Sequence, residues 1–492
     1  MFLGLFGRRP SAPAAPGPQT LRTTLLAQLR EHLDRGHLAA AEVCLEELRE
    51  HFPEDSEVRQ QEGGLQYQRG EFTLAENTFR GILEQHPGDA VALANLGQSL
   101  QVRGAFAEAL PLFESALRIA PGLAFAKSNL AVACYALGQT RRAVTLCREL
   151  VAASPDDPSA HFALAESLLR LDQYGEGWAE YEWRMKEPGY QHYFRRYAQA
   201  TWDGSEQPGK VVLIWPEQGF GDTLQFIRLA LDAAARHASM RFIVDAPRAL
   251  VRLMRNGLPS AHLPNLEVAP QGALPEFDLH VSVMSLPWRL GARLDANPVT
   301  GPYLRADTAL VKDWRGRLDA ALPAGSIRVG LAWAGNRREE FDVGGRAVDF
   351  RRSLPVELAA HLTDVPGCSF VSLQVGPRAG ELADTNAHVA DFSAHISDFA
   401  DTAALMKCLD LVVSVDTAVV HLAGALGHPT WMLSRYDCCW RWGERATTAA
   451  WYPTLRPFYQ DAPGDWRGVI ERVGAALVEQ VRDHARRVRA PT

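Results

Sequence analysis

The chain has 492 residues, 47% of them apolar and 22% charged, with a formal net charge of −7 and a pI near 6.1. That length exceeds what one hydrophobic core supports and predicts roughly two to four domains, while the acidic balance argues against a nucleic-acid partner, which usually demands a basic protein face. The seven cysteines are scattered without a Cys-x-x-Cys pair, which argues against a disulfide framework or structural zinc and for a reducing compartment.

Residues 1–20 read as a disordered N-terminus. Met1 to Phe6 is apolar, but Arg8-Arg9 follow it instead of preceding it, the reverse of a secretory signal. Residues 10–19 are rich in Pro, Ala and Ser. No later stretch approaches the ~18 consecutive apolar residues of a spanning helix, so no integral membrane segment is expected and a cytoplasmic location follows.

Over residues 21–190, Pro53, Pro87, Pro121 and Pro155 recur at a step of 34. Ala41, Ala75, Ala109, Ala143 and Gly177 keep that step, as do Leu29, Gly63, Gly97, Ala131 and Ala165. So do Leu45, Phe79, Phe113, Cys147 and Tyr181. Small residues where helices cross, large ones between them and a proline closing each unit describe about five stacked helix pairs. The pattern resembles the tetratricopeptide repeat. Its groove is expected to hold a protein or peptide; a rigid spacer or dimerisation surface is the plainer alternative. Trp178, Tyr181 and Trp183 mark the end of the fifth unit as a seam against the next domain.

After Pro208-Gly209 the pattern changes to alternating strands and helices, the signature of a parallel sheet with crossovers. Strands are expected near 210–215, 241–244, 266–269 and 277–283 in a domain spanning 208–305. The stretch from Gly301 to Leu318 reads as a connection. A second domain, 320–445, carries strands near 327–333, 369–374, 411–415 and 430–433, and a helical segment over 446–492 is expected to pack back on both. Two adjacent Rossmann-like domains imply a cleft facing the carboxyl ends of their strands.

Two strand-to-helix turns carry the chemistry. In Leu411 to Gly424 an apolar strand stops at Asp416-Thr417 and gives way to a helix that Gly427 and Pro429 end. The free N–H groups of that first turn suit a phosphate. Asp416 suits sugar hydroxyls, and His421, four residues after Thr417, shares its face. Together they suggest a nucleotide-sugar site. The other turn, Glu217-Gln218-Gly219-Phe220-Gly221-Asp222, brings an acid to a helix start, where it serves either as a cap or as a base.

Further candidates flank these. Arg352 can bind two diphosphate oxygens, or belong to a surface charge run with Arg351 and Arg346. Asn336, Gln374 and Gly376 follow strands and stand where loops meet a ligand. Trp440 and Trp442 suit stacking or core packing equally. The sequence has no apolar-flanked Asp-x-Asp pair and no metal-spaced His/Cys cluster, so no metal or other cofactor is expected beyond a nucleotide-sugar co-substrate.

These motifs resemble the heptosyltransferase-like glycosyltransferases fused behind tetratricopeptide repeats. The resemblance rests on Gly219-x-Gly221-Asp222, Trp333-Ala334-Gly335-Asn336, Arg352-Ser353, Asp416-Thr417-Ala418-x-x-His421, Trp440-Arg441-Trp442 and Trp451-Tyr452-Pro453, and covers nearly all of 22–480. It implies a helical repeat solenoid followed by an α/β GT-B fold of two Rossmann-like domains. It also implies inverting transfer, with Asp222 as base on an acceptor loop formed by Gly219 and Gly221. Glu217 is the reserve for that role, and Asp416, Thr417, Ala418 and His421 form the donor segment. Ala418 departs from the glycine usual at its position, which puts close backbone contact with a phosphate in doubt. Two other readings stay open: a non-catalytic scaffold with a degenerate transferase part, and a transferase acting on a cell-surface glycan.

Overall fold

The computed structural model describes residues 17–259, 262–291, 301–335 and 343–489. The chain divides into two compact units, Met1–Ala126 and Lys127–Thr492. Helices come first, in pairs: α1 (Pro18–Asp34) and α2 (Leu38–His51), α3 (Ser56–Gln68) and α4 (Phe72–Gln85), α5 (Ala90–Val102) and α6 (Phe106–Ile119), α7 (Ala124–Ala136) and α8 (Thr140–Ala153), α9 (Pro158–Arg170) and α10 (Tyr174–Tyr181). The small–large registers have a direct cause. A Cβ at Gly63 would fall 2.6 Å from the Phe79 ring, and one at Gly97 would fall 2.7 Å from Phe113. A further register escaped the sequence reading. The turn inside each pair uses a positive φ, at Gly36, Gly70, Gly104 and Gly138, and Asp172 (φ 58°) takes the fifth place. Asp55, Asp89 and Asp157 cap α3, α5 and α9 by accepting two first-turn N–H groups each.

The second unit continues past α10 through short 3₁₀ turns at Glu182–Lys186 and Pro188–Tyr193 into a five-stranded parallel sheet. Its strands are β1 (Ala200–Thr201), β2 (Val211–Trp215), β3 (Arg241–Ala246), β4 (Leu266–Pro270) and β5 (Leu279–Ser282), in the order β4-β3-β2-β5-β1. The accompanying helices are α11 (Phe220–Arg236), α12 (Arg248–Gly257) and α13 (Leu286–Arg289), and α14 (Thr308–Ala321) follows them in the chain. The sheet therefore recruits an edge strand upstream of residue 208. The expected connection from Gly301 to Leu318 is mostly helix, and both Tyr303 and Leu304 donate their N–H groups to Ala425 O, at 3.0 and 3.1 Å.

A six-stranded parallel sheet follows: β6 (Ile327–Ala332), β7 (Cys368–Ser372), β8 (Val389–Ala390), β9 (Leu411–Val415), β10 (Thr430–Ser434) and β11 (Leu455–Tyr459). Its helices are α15 (Val343–Arg352), α16 (Val356–Ala360), α17 (Phe399–Met406), α18 (Ala418–Ala425) and α19 (Trp466–Arg489). The order β8-β7-β6-β9-β10-β11 is the doubly wound 3-2-1-4-5-6 arrangement, whose chain reversal lies between β6 and β9. Residues 446–492, expected as helix, contain β11, which pairs in parallel with β10 at the sheet edge and tolerates Pro457 there. The helix α19 buries Trp466, Val469, Val473 and Leu477 against the second sheet.

All five residues of β9 are buried, as a central strand covered on both faces requires. One apolar core runs from the last repeat pair (Leu169, Trp178) through the first sheet (Ile214, Phe242) to one face of the second (Val412, Met432). Trp178 packs edge-on against Phe226 of α11 at 5.7 Å and Trp440 at 5.4 Å, so the aromatic end of the repeats is a seam. Among the described residues no helix is long and apolar enough to cross a membrane.

Candidate functional site

The two strand-to-helix turns meet. A Cβ at Gly221, in the first turn of α11, would lie 2.7 Å from His421 Cδ2 and 3.6 Å from Ala418 Cα of α18. The absence of a side chain lets the helix following β2 approach the helix following β9, bringing the carboxyl ends of strands from two sheets together. The two halves touch at this contact.

On the α11 side, the turn depends on Gln218, a non-glycine residue at φ 61°, whose Nε2 donates to Tyr181 Oη at 3.3 Å and Glu217 Oε1 at 3.2 Å. Gly219 is extended, and Asp222 reaches back so that its Oδ2 accepts the Gly219 N–H at 3.0 Å. Asp222 Oδ1 pairs with Arg441 Nη2 at 2.5 Å. Arg441 also donates to Gln225 Oε1 at 2.8 Å and lies 4.3 Å above the Trp440 ring.

On the α18 side, Thr417 is the cap, its Oγ1 accepting the Val419 N–H at 3.4 Å. Asp416 does not cap; its Oδ2 accepts from Trp442 Nε1 at 2.8 Å. Trp442 also stacks on His421, with centroids 5.6 Å apart. Burial pushes the His421 imidazole down to about 4, so it is neutral near pH 7. Its Nδ1 lies 3.1 Å from Tyr452 Oη. Burial raises that phenol well above its ordinary value, so Tyr452 keeps its proton and can share a hydrogen bond with Nδ1. Asp416, Arg441, Asp222 and Arg228 all act electrostatically on His421, which sets them around one point.

Glu217 is elsewhere. It has no exposed side-chain surface and takes both prongs of the Arg184 guanidinium, Nε to Oε1 and Nη2 to Oε2, each at 2.8 Å. Ser282 Oγ donates to it as well. A carboxylate so committed braces the loop, and a reserve role in proton transfer does not fit its surroundings.

Beyond Asp416, across the chain reversal, Gln374 Oε1 accepts the Ala334 N–H at 3.0 Å and ties the end of β6 to that of β7, while Gly376 (φ 78°) turns the chain away. Arg352 is bound twice to Asp349 Oδ1, at 2.9 and 2.8 Å, over Gly335. Asn336 lies outside the described residues. Trp440 is buried in the seam. Sequence reasoning gave no role to Arg228, and Arg441 and Tyr452 entered it only within the motifs Trp440-Arg441-Trp442 and Trp451-Tyr452-Pro453, without a role of their own. Among the described residues no group of three His, Cys, Asp or Glu side chains is placed to hold a metal ion.

Tetratricopeptide-repeat models match residues 26–90, 61–124 and 103–168, and the model of glycosyltransferase family 9 (heptosyltransferase) matches residues 393–436. The chain carries tetratricopeptide repeats fused to family 9-like glycosyltransferase sequence. The family 9 match begins six residues before α17, ends two residues after β10 and holds Asp416, Thr417, Ala418 and His421. Protein FlbA of Caulobacter vibrioides is 28% identical over 344 residues, which are 66% of this chain and 56% of that protein; the chain thus spans little more than half of its relative's length. Among solved structures, a thermophilic tetratricopeptide-repeat protein of Thermus thermophilus is 19% identical, with a TM-score of 0.31 over 34% of this chain and 91% of its own. PilF of Pseudomonas aeruginosa is 17% identical, with a TM-score of 0.34 over 45% of this chain and 90% of its own.

Proposed function

We propose that the protein is a glycosyltransferase of the GT-B type that moves a sugar from a nucleotide-sugar, with inversion and without a metal, to a protein recruited by the repeats. One observation carries the reading: the Gly221–His421 approach, which gathers Asp222 from the turn after β2 and Asp416, Thr417 and His421 from the turn and helix after β9. Asp416 takes sugar hydroxyls, and the diphosphate meets the N–H groups after Thr417. The nucleotide reaches toward Gln374 and Gly376. Asp222 takes the acceptor's proton as the glycosidic bond forms and the nucleoside diphosphate leaves.

Asp222→Asn should abolish transfer and leave donor binding nearly intact; unchanged turnover removes Asp222 from the mechanism. The scaffold alternative draws on a specific observation too. Arg441 already pairs with Asp222 and Trp442 already donates to Asp416, so both carboxylates have partners within the chain. A glycan acceptor remains the other alternative, and pull-down of partners by the whole chain separates it from a protein acceptor.

A further inference from the structure

Arg435 is the first residue after β10, and the pairing of Leu433 with Val415 in the neighbouring strand sets it level with Thr417. Its side chain is only 14% exposed, and its Nη1 lies 3.2 Å from Asp437 Oδ2 without the geometry of a hydrogen bond. Arg351, from α15, brings Nη2 to 3.1 Å and Nε to 3.3 Å of that same oxygen. Two part-buried guanidiniums thus converge on one carboxylate oxygen at the carboxyl edge of the second sheet. Burial lowers the Arg351 pKa, and the Arg435 charge adds to that effect against the pull of Asp437. Burial works against the Arg435 charge, but Asp437, Cys439 and Asp416 outweigh it and raise the Arg435 pKa. Glu166 of α9 is within electrostatic reach as well, although burial raises its carboxyl and favours the neutral form.

The buried Arg435 Nη1 has no hydrogen-bond partner, and forked donors suit phosphate oxygens. We propose that Arg435 and Arg351, braced by Asp437, form the seat for the donor's diphosphate beside the first turn of α18. The role expected of Arg352 passes to its neighbour, because Arg352 is turned onto Asp349. This rests on the nucleotide-sugar reading above and names the groups that hold its most charged part.

The test is calorimetric titration of the full chain with UDP, GDP, ADP, CDP and dTDP and the matching monophosphates. The wild type should bind one diphosphate at least about tenfold more tightly than its monophosphate, the worth of a charge-assisted hydrogen bond. Arg435→Gln and Arg351→Gln should each erase most of that preference while monophosphate affinity stays within about twofold. Arg435→Lys, which keeps the charge and loses the fork, should fall between, and it guards against a folding defect in the glutamine variant. A preference undiminished in Arg435→Gln and Arg351→Gln overturns the seat, even if Asp416→Asn weakens all nucleotides and the donor reading survives. A wild type that binds none of the ten nucleotides overturns both.

Discussion

Arg441 Nη2 stands 2.5 Å from Asp222 Oδ1, although the two residues are 219 positions apart and arise from different sheets. The pair is mostly shielded, with side-chain exposures of 10% and 18%, so its loss is felt. Removing one partner leaves the other charge poorly solvated. Arg441→Met should lower stability by about 2 kcal/mol and Asp222→Asn by less, because an amide still accepts the Gly219 N–H. Urea denaturation of both variants and the double variant measures the coupling, and strictly additive losses contradict the pairing.

Gly221→Ala tests the helix approach. Its methyl group would stand 2.7 Å from His421 Cδ2, closer than packed atoms allow, so α11 or the His421 ring must move. A loss of about 1–3 kcal/mol is expected, with nucleotide binding weakened in parallel. A variant of unchanged melting temperature and unchanged binding shows that the helices do not rely on this contact.

Arg184→Met should be among the most damaging substitutions, at about 3–5 kcal/mol, because it strands the Glu217 carboxylate with no exposed surface. Adding Glu217→Leu should restore part of that stability. A double variant less stable than Arg184→Met alone contradicts the account of Glu217 as a structural anion.

Acid should weaken the fold through two histidines. Burial holds both His421 and His428 near 4, against an unfolded value of about 6.5. Their neutral forms stabilise the native state fully above pH ~6.5, and that stability is lost as pH falls toward 4, because the unfolded chain takes up protons first. The loss is at most about 3 kcal/mol per group. In melting curves between pH 7.5 and 4.5, His428→Gln should flatten the decline. An identical slope in that variant contradicts the burial argument.

Much of this was legible in the sequence, for physical reasons. A fixed step of 34 residues survives in the chain because Gly63 and Gly97 must admit Phe79 and Phe113. The strand at Leu411–Val415 announces itself because burial on both faces demands an unbroken apolar run. Less was legible where partners are distant in sequence. Nothing near Glu217 signals that Arg184 occupies it, and nothing near Asp416 signals the indole of Trp442. The strand at Leu455–Tyr459 hid because Pro457 sits in it and edge position makes that tolerable. Gln218 hid because left-handed backbone is ordinarily read from glycine, and Gly219 and Gly221 flank it.

The most direct measurement is a thermal-shift screen of the whole chain against UDP-, GDP-, ADP-, CMP- and dTDP-sugars at millimolar concentration. A donor present at 100 times its dissociation constant adds about 2.7 kcal/mol to the native state. The account predicts that one donor raises the melting temperature, that Asp416→Asn removes the shift and that Asp222→Asn keeps it. A wild type shifted by no donor, or a shift that survives Asp416→Asn intact, contradicts the placement of a nucleotide-sugar where the two sheets meet.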